Sequence, residues 1–223
     1  MSFIHHTTLT PTKLELLTTW LPAQPWYRGK AGARPELEKS GGFRLDDPEG
    51  EVGIEFMAAT DTSGAQPVTY HVPFTYRDAP VPGADAALIG TAEHGVLGKR
   101  WVYDGTRDPV LVAQLFALFL GEAEPQMQST SDTPDPSVIA RFDGPATTTA
   151  LASTTVTDDP SGTHLVVESA SGGRRLAIRI HRALQPGQDS TEQPPLGHVT
   201  AGWPLPDGTT ARAVFATMHH ARP

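Results

Sequence analysis

The feature that most constrains the fold is a period of two in the apolar residues of segment 51–76. Neighbouring side chains of a strand point to opposite faces, so this alternation predicts strands with one face in a core. The apolar positions are Val52, Ile54, Phe56 and Ala58 in the first half and Val68, Tyr70, Val72 and Phe74 in the second. The polar turn 61–64 separates the halves, so we expect a β-hairpin whose second strand is half-buried. The 21 glycines and 21 prolines among 223 residues indicate many further short strands and turns.

Two segments are predicted to be helices. The first begins with Thr10 as N-cap and Pro11 at the first helical position, and Pro22 ends it. The second begins at the N-cap Asp108 and stops at Gly121. The second helix is apolar nearly all round, which is typical of a buried helix. We therefore expect it to pack against the concave face of the preceding sheet.

The chain divides into two predicted modules, and the predicted class is α+β. With two more strands near 86–93 and 99–103, residues 1–122 would form a curved antiparallel sheet packed on a helix. Residues 123–136 are polar and proline-rich, which indicates a linker or a long loop. Residues 137–223 carry no helix-length periodic segment and are predicted to be mostly β. The strand-like runs there are 138–142, 147–157, 163–169, 174–182, 198–203 and 210–218.

Charge and cysteine content exclude several classes of function. A formal net charge of −8 argues against nucleic acid and anionic membranes as partners, since both reward a basic surface. The absence of cysteine excludes disulfides, thiolate zinc sites and cysteine nucleophiles. The longest apolar run, 110–120, is too short to span a bilayer, and no signal peptide is visible. We expect a cytoplasmic protein.

Three stretches of the sequence resemble parts of one known family. Residues 20–30, Trp-Leu-Pro-Ala-Gln-Pro-Trp-Tyr-Arg-Gly-Lys, are similar to the opening of the N-terminal cap domain of actinobacterial maltokinases. Residues 70–121 are similar to the rest of the cap, with Tyr-Arg-Asp-Ala-Pro at 76–80, Ala-Glu-His-Gly at 92–95 and a closing helix. Residues 163–187 resemble the kinase small-lobe strands that follow the cap. The resemblance implies a cap followed by a β-rich, small-lobe-like module.

Departures from the family pattern argue against catalysis. Arg179 stands where the resembled kinases carry a lysine that grips the nucleotide phosphates. The helix that should follow falls on 189–195, where adjacent prolines preclude a helix interior. The sequence has no histidine-glycine-aspartate loop and no magnesium-binding aspartate segment, and we expect too little chain after residue 182 for a catalytic lobe. Phosphoryl transfer needs metal, nucleophile and charge stabilisation together. The resemblance therefore implies a stand-alone, degenerate kinase with no cofactor and no catalytic residue.

Five residues are candidates for ligand binding: Trp26, Tyr27, Arg28, Lys30 and Arg179. The aromatic rings, with Trp20, would stack on a sugar, although we favour packing of the first helix as their role. Arg28 and Lys30 belong to a basic stretch with Arg34 and Lys39 that would receive a phosphate or carboxylate, although a solvated loop is the simpler interpretation. Arg179 would contact a phosphate, or would alternate with Ile178 and Ile180 and simply face solvent.

Other polar clusters are weaker candidates. His71, Glu93 and His94 form a nominal metal set, for which we favour surface histidines because the spacing fits no known motif. His5-His6 and His219-His220 would bind metal only adventitiously. The run 171–173, Ser-Gly-Gly, resembles a phosphate-cradling loop, but a hairpin turn explains it. No metal site is predicted.

Three hypotheses for function follow. The first is a non-catalytic cap-like protein that binds a partner, such as a kinase or a glucan-processing enzyme of trehalose, maltose and glycogen metabolism. The second is a small-molecule module for a sugar or nucleotide, and the third is an enzyme with an unrecognised site. We expect a protein partner or self-association through the C-terminal module, where Val214, Phe215 and Met218 suggest an apolar surface.

Overall fold

The chain forms two antiparallel sheets with two short helices, and it is mostly β. A computed structural model describes residues 8–30, 32–144, 151–169, 175–187, 194–205 and 209–221. The helices are α1 (Lys13–Trp20) and α2 (Pro109–Phe119). The strands within the described ranges are β1 (Leu9–Thr10), β2 (Leu37–Leu45), β3 (Gly53–Asp61), β4 (Val68–Arg77), β5 (Leu88–His94), β6 (Gly98–Asp104), β7 (Gln126–Met127), β8 (Ile139–Phe142), β9 (Leu151–Asp159), β10 (Gly162–Ser169), β11 (Arg175–Ile180), β12 (Ala183–Leu184), β13 (Gly197–Pro204) and β14 (Thr210–His220).

The first sheet is curled and runs in the order β1-β5-β6-β4-β3-β2-β7, with β12 added beside β4. The second sheet runs β8-β13-β14-β11-β10-β9. The strand β12 follows β11 of the second sheet in the chain but pairs with β4 of the first, Ala183 opposite Tyr70. The polypeptide therefore crosses from one sheet into the other at residues 181–182.

The predicted hairpin is confirmed, but its second strand is buried on both faces. The apolar set of β3 packs toward the second sheet, and that of β4 packs toward α1 and Trp26. The alternate residues His71 and Thr75 of β4 have no exposed surface, although the pattern predicted a half-buried strand. The second sheet covers this face. Polar residues such as His71 are typical of a solvent-exposed face, so the sequence pattern did not predict their burial.

The helix α2 lies in a core that both sheets share. Its N-cap is Asp108, as predicted, and Gly121 follows it with a φ of 75°. Phe116 and Phe119 belong to one buried cluster with Phe56 of β3 and Ile178 of β11. The expectation that α2 packs against the first sheet was therefore incomplete, because the second sheet supplies much of its surroundings.

Three local predictions need correction. Thr12, not Thr10, caps α1: its side chain accepts from the Glu15 backbone N–H and the Glu15 carboxylate accepts from the Thr12 backbone, which forms a capping box. The basic residue Lys39 lies in the strand β2 rather than in an irregular loop. Phe215 and Met218 are fully buried in the shared core, so the apolar surface expected on the C-terminal module is covered by the chain itself.

Glycine allows β2 to approach the second sheet. A Cβ on Gly41 would lie 3.0 Å from the Cβ of Trp203 in β13, and one on Gly42 would collide with the Phe56 carbonyl oxygen. Both glycines have positive φ, 144° and 130°, and β2 has a register shift here. Gly41 and Gly42 thus allow β2 to bend and allow Trp203 to pack against it.

Candidate functional site

The predicted aromatic group packs the segment after α1 onto the first sheet. Trp26 is 1% exposed and its ring centroid lies 5.6 Å from Trp20 and 6.1 Å from Tyr70. The Tyr27 hydroxyl donates to Asp61 Oδ2 at 2.9 Å. Burial and this carboxylate raise the pKa of Tyr27. The rings supply packing area, and Tyr27 is the one of the two candidate aromatics that reaches solvent.

The predicted basic residues near this group are exposed. Arg28 is fixed by its backbone, whose N–H donates to the Tyr70 hydroxyl at 2.9 Å, while its side chain and that of Lys30 reach solvent. Lys39 lies further along in β2, where burial, followed by repulsion from Lys13, lowers its pKa. Ligand binding at Tyr27, Arg28 and Lys30 stays a prediction.

A buried carboxylate that the sequence analysis missed lies on the same face of the sheet. Glu55 accepts from Lys13 Nζ at 2.6 and 2.8 Å, from the Tyr76 hydroxyl at 2.7 Å and from Gln128 Nε2 at 2.6 Å. Burial opposes ionisation of Glu55, but Lys13 and the two neutral donors outweigh it and lower the pKa. The anion joins α1, β3, β4 and the segment after α2. The sequence signal that could have identified this site is a glutamate, Glu55, within a strand of mostly apolar residues.

A second buried charge holds the two sheets together. Arg182 is fully buried where the chain crosses between them. Its Nη2 donates to Asp104 Oδ2 at 2.5 Å and to Thr106 Oγ1 at 3.2 Å, and its Nε donates to Thr163 Oγ1 at 2.7 Å. The guanidinium carbon lies 4.8 Å from the centroid of the Trp26 ring, a cation–π contact. This network connects β6, β10, β12 and the aromatic segment.

His71 is a core residue rather than a surface histidine. Its ring lies 4.4 Å from that of Phe215 and 5.9 Å from that of Phe56, and its Nδ1 is 3.3 Å from the His181 carbonyl oxygen. Burial, and then the positive charge of Arg182, lowers the pKa of His71 well below its usual value. The side chain is therefore neutral at pH 7, in an apolar slot between the sheets.

The nominal metal set is not brought together. Glu93 and His94 lie in β5, which is separated from His71 in β4 by β6. His94 Nδ1 instead accepts from the backbone N–H groups of Val96 and Leu97. Among the described residues, no group of three or more potential ligands could hold a metal ion. His5, His6 and the run 171–173 lie outside those residues.

Arg179 projects from the outer face of the second sheet. Ile178 and Ile180 are buried beside it, so the predicted alternation is confirmed. Its Nη2 donates to the Ser161 carbonyl oxygen at 3.0 Å. His181 lies on the same side, where burial, followed by the charge of Arg179, lowers its pKa to about 4.

The fold defines a β-rich protein in which a curled sheet, closed on one face by a short helix, packs against a second antiparallel sheet. Residues 20–108 match the family model of the maltokinase N-terminal cap domain, so this part of the chain is a cap-like domain and the resemblance is confirmed there. The match covers β2 to β6 and ends at the N-cap of α2. No curated protein matches the chain. No helix in the described part of the molecule is long and apolar enough to cross a membrane.

Proposed function

We propose that this chain is a non-catalytic cytoplasmic protein that serves as a binding or regulatory partner in trehalose, maltose or glycogen metabolism. The cap match over residues 20–108 carries the proposal, because it associates the chain with maltokinase-like proteins. On this proposal the second sheet is a degenerate counterpart of the kinase small lobe. Arg179 then takes the place of the nucleotide-binding lysine.

The buried ion pairs support a non-catalytic role. Glu55 is bonded to three donors, and Asp104 is bonded to the buried Arg182. Asp108 pairs with Arg77 at 2.7 Å while it also caps α2. Carboxylates held in this way are fixed by their partners, and they are poorly placed to contact a substrate as a general acid or base.

An assay for phosphoryl transfer tests this proposal. We expect no phosphorylation of maltose, trehalose or glucosamine by the chain with magnesium-ATP, even at high protein concentration. The Arg179→Ala variant serves as the control for a contaminating kinase, since contaminating activity would survive the substitution. Turnover that Arg179→Ala abolishes would overturn the non-catalytic proposal.

The partner surface that we propose is the β8 edge of the second sheet. Within the described ranges β8 pairs on one side only, with β13, and Ile139 on it is 42% exposed. An open strand edge with an apolar side chain favours association. Val96 offers a matched control, because it is 61% exposed but lies on the β5–β6 turn of the cap-like domain.

Light scattering with size-exclusion chromatography tests the surface, on the full chain alone and mixed with a purified maltokinase. We expect a dimer or a mixed complex that Ile139→Lys dissociates and Val96→Lys leaves intact. A monomer in both samples, or a complex lost only in Val96→Lys, would contradict the proposed surface.

A small-molecule-binding module is the second candidate, and the half-exposed Arg179 among histidines favours it. Sugar binding at Tyr27, Arg28 and Lys30 is the other form of this candidate, without Trp26, because that ring is buried. A rise in melting temperature with maltose, absent in Tyr27→Ala, would support the aromatic group as the site.

A further inference from the structure

Basic and hydroxyl side chains form one row across the outer face of the second sheet. The strand register places His164 opposite Arg179, Arg179 opposite Thr217, Thr217 opposite His198, and His198 opposite Arg141. Directly opposed residues on one face have Cβ atoms about 4.5–5.5 Å apart. Five neighbouring strands thus each contribute one residue to a continuous line.

The row faces away from the shared core. The residues next to its members in sequence are buried there: Leu165, Ile178, Ile180, Val199 and Met218. Since strand residues alternate between faces, the members of the row project to the other side. Arg141 is exposed and His164, Arg179 and His198 are half-exposed, whereas Thr217 is buried, so the row is accessible on both sides of Thr217.

Two more histidines lie near Arg179. His181 Nε2 lies 3.3 Å from Thr217 Oγ1. His219 is opposite Ala177, which is the neighbour of Arg179 on the same face of β11. Burial, followed by the charge of Arg179, lowers the pKa of His219. With the pKa of His181 lowered in the same way, Arg179 is a fixed positive charge beside two neutral imidazoles, those of His181 and His219.

Arg179 keeps donor capacity for a ligand. Its Nη2 donates to the Ser161 carbonyl oxygen, while its buried Nε has no hydrogen-bond partner among the described atoms. The Asp159 carboxylate is bonded to His164 Nε2 at 3.0 Å and to Ser161, the residue whose carbonyl oxygen Arg179 contacts. Glu168 lies two rows away, opposite Arg175. With Asp159 thus bonded to His164 and Ser161, Arg179 is a positively charged donor on a protein whose overall charge is −8.

We propose that Arg179, His181 and His219 bind a tetrahedral oxyanion, namely inorganic phosphate or a phosphate monoester, on the outer face of the second sheet. The planar guanidinium matches the geometry of phosphate oxygens. Neutral imidazoles donate one N–H each, and a bound anion favours their protonation, so phosphate affinity rises as pH falls. The site needs no catalytic activity, and its failure would leave the proposed partner function untouched.

Histidine NMR of the full chain tests the site. Potassium phosphate is titrated against potassium chloride of equal ionic strength, and the ring signals of His181 and His219 are followed. We expect saturable shifts with phosphate only and a higher pKa for both rings at saturation. Glucose 1-phosphate and ADP, added separately, distinguish free phosphate from sugar and nucleotide esters as the preferred source.

Substitution of Arg179 completes the test. Arg179→Gln should weaken phosphate binding about tenfold or more, since it removes a charged donor. Arg212→Gln is the matched control, because Arg212 is exposed on β14 and bonds Thr200 instead, and it should bind as the wild type does. If Arg179→Gln does not fold, Arg179→Lys should fold and bind with intermediate affinity. Shifts equal in phosphate and chloride, or unaltered binding in the Arg179 variants, would overturn the proposal.

Discussion

Arg182 and Asp104 form an ion pair that solvent and salt cannot screen, because both side chains are almost completely buried. Arg107 and Asp158 form a comparable pair near the surface, with side chains 35% and 16% exposed. The two pairs have similar N···O distances, 2.5 and 2.6 Å, so they differ mainly in their surroundings. At the scale of single residues, burial decides how much each contributes to specifying the fold.

Removing one partner of the buried pair should destabilise the protein strongly. We expect Asp104→Asn to lower the free energy of unfolding by about 3–5 kcal/mol, because Arg182 would then lie buried without a counter-charge. Arg107→Gln, which breaks the exposed pair, should cost no more than about 1 kcal/mol. Urea denaturation measures both. Similar losses in the two variants would show that Arg182 is not desolvated as described.

His71 should make the protein sensitive to acid. The pKa of His71 is lower in the folded state than in the unfolded chain. Below about pH 6.5 the unfolded state therefore binds more protons, and the free energy of unfolding decreases as the pH is lowered. Each such group contributes a slope of about 1.4 kcal/mol per pH unit between the two pKa values. His71→Phe should reduce the slope of unfolding free energy between pH 6.5 and pH 5 by about this amount. An unchanged slope would place His71 in contact with water.

At the scale of elements, the sequence predicts those helices and strands whose determinants are interactions between residues close together in the chain. The strands β3 and β4 and the caps of α2 were predictable because their determinants lie within a few residues. The strand β2 was not, since its glycines disrupt the pattern and its conformation depends on β3 and on Trp203. The Arg182 network was also beyond prediction, because its partner Asp104 is 78 residues away in sequence. Of the candidate site residues, the alternation around Arg179 was predictable, but the histidines beside it required the strand register.

The helix α2 should stabilise both sheets. We expect Phe116→Ala to lower the unfolding free energy by about 3–5 kcal/mol, since the truncation leaves a cavity in the shared core. Against a total stability of about 5–15 kcal/mol this loss is large, and it should lower the melting temperature by several degrees or more. Val110→Ala, at a half-buried position of the same helix, is the control and should cost less. A variant at Phe116 that melts like the wild type would show that α2 is misplaced.

At the scale of the whole molecule, the shared core raises the question of whether the two modules predicted on either side of residues 123–136 fold independently. We expect the two sheets to unfold together, because α2 and Phe56 contact residues of the second sheet in one buried cluster. Native-state hydrogen exchange measures this, and the most protected amides of β4 and β11 should report the same opening free energy. Clearly lower values for β11 would support two independent modules.

The crossing of the chain at Arg182 also bears on how such a cap-like domain can be transferred between proteins. The matched segment 20–108 omits β12, which occupies the free edge of β4 and whose neighbour Arg182 accepts from the His71 backbone N–H at 2.8 Å. A graft cut at the limits of the match would carry an open strand edge and an uncovered apolar face into its new host. A unit that folds after transfer is therefore larger than the matched segment, and it should include residues 182–184.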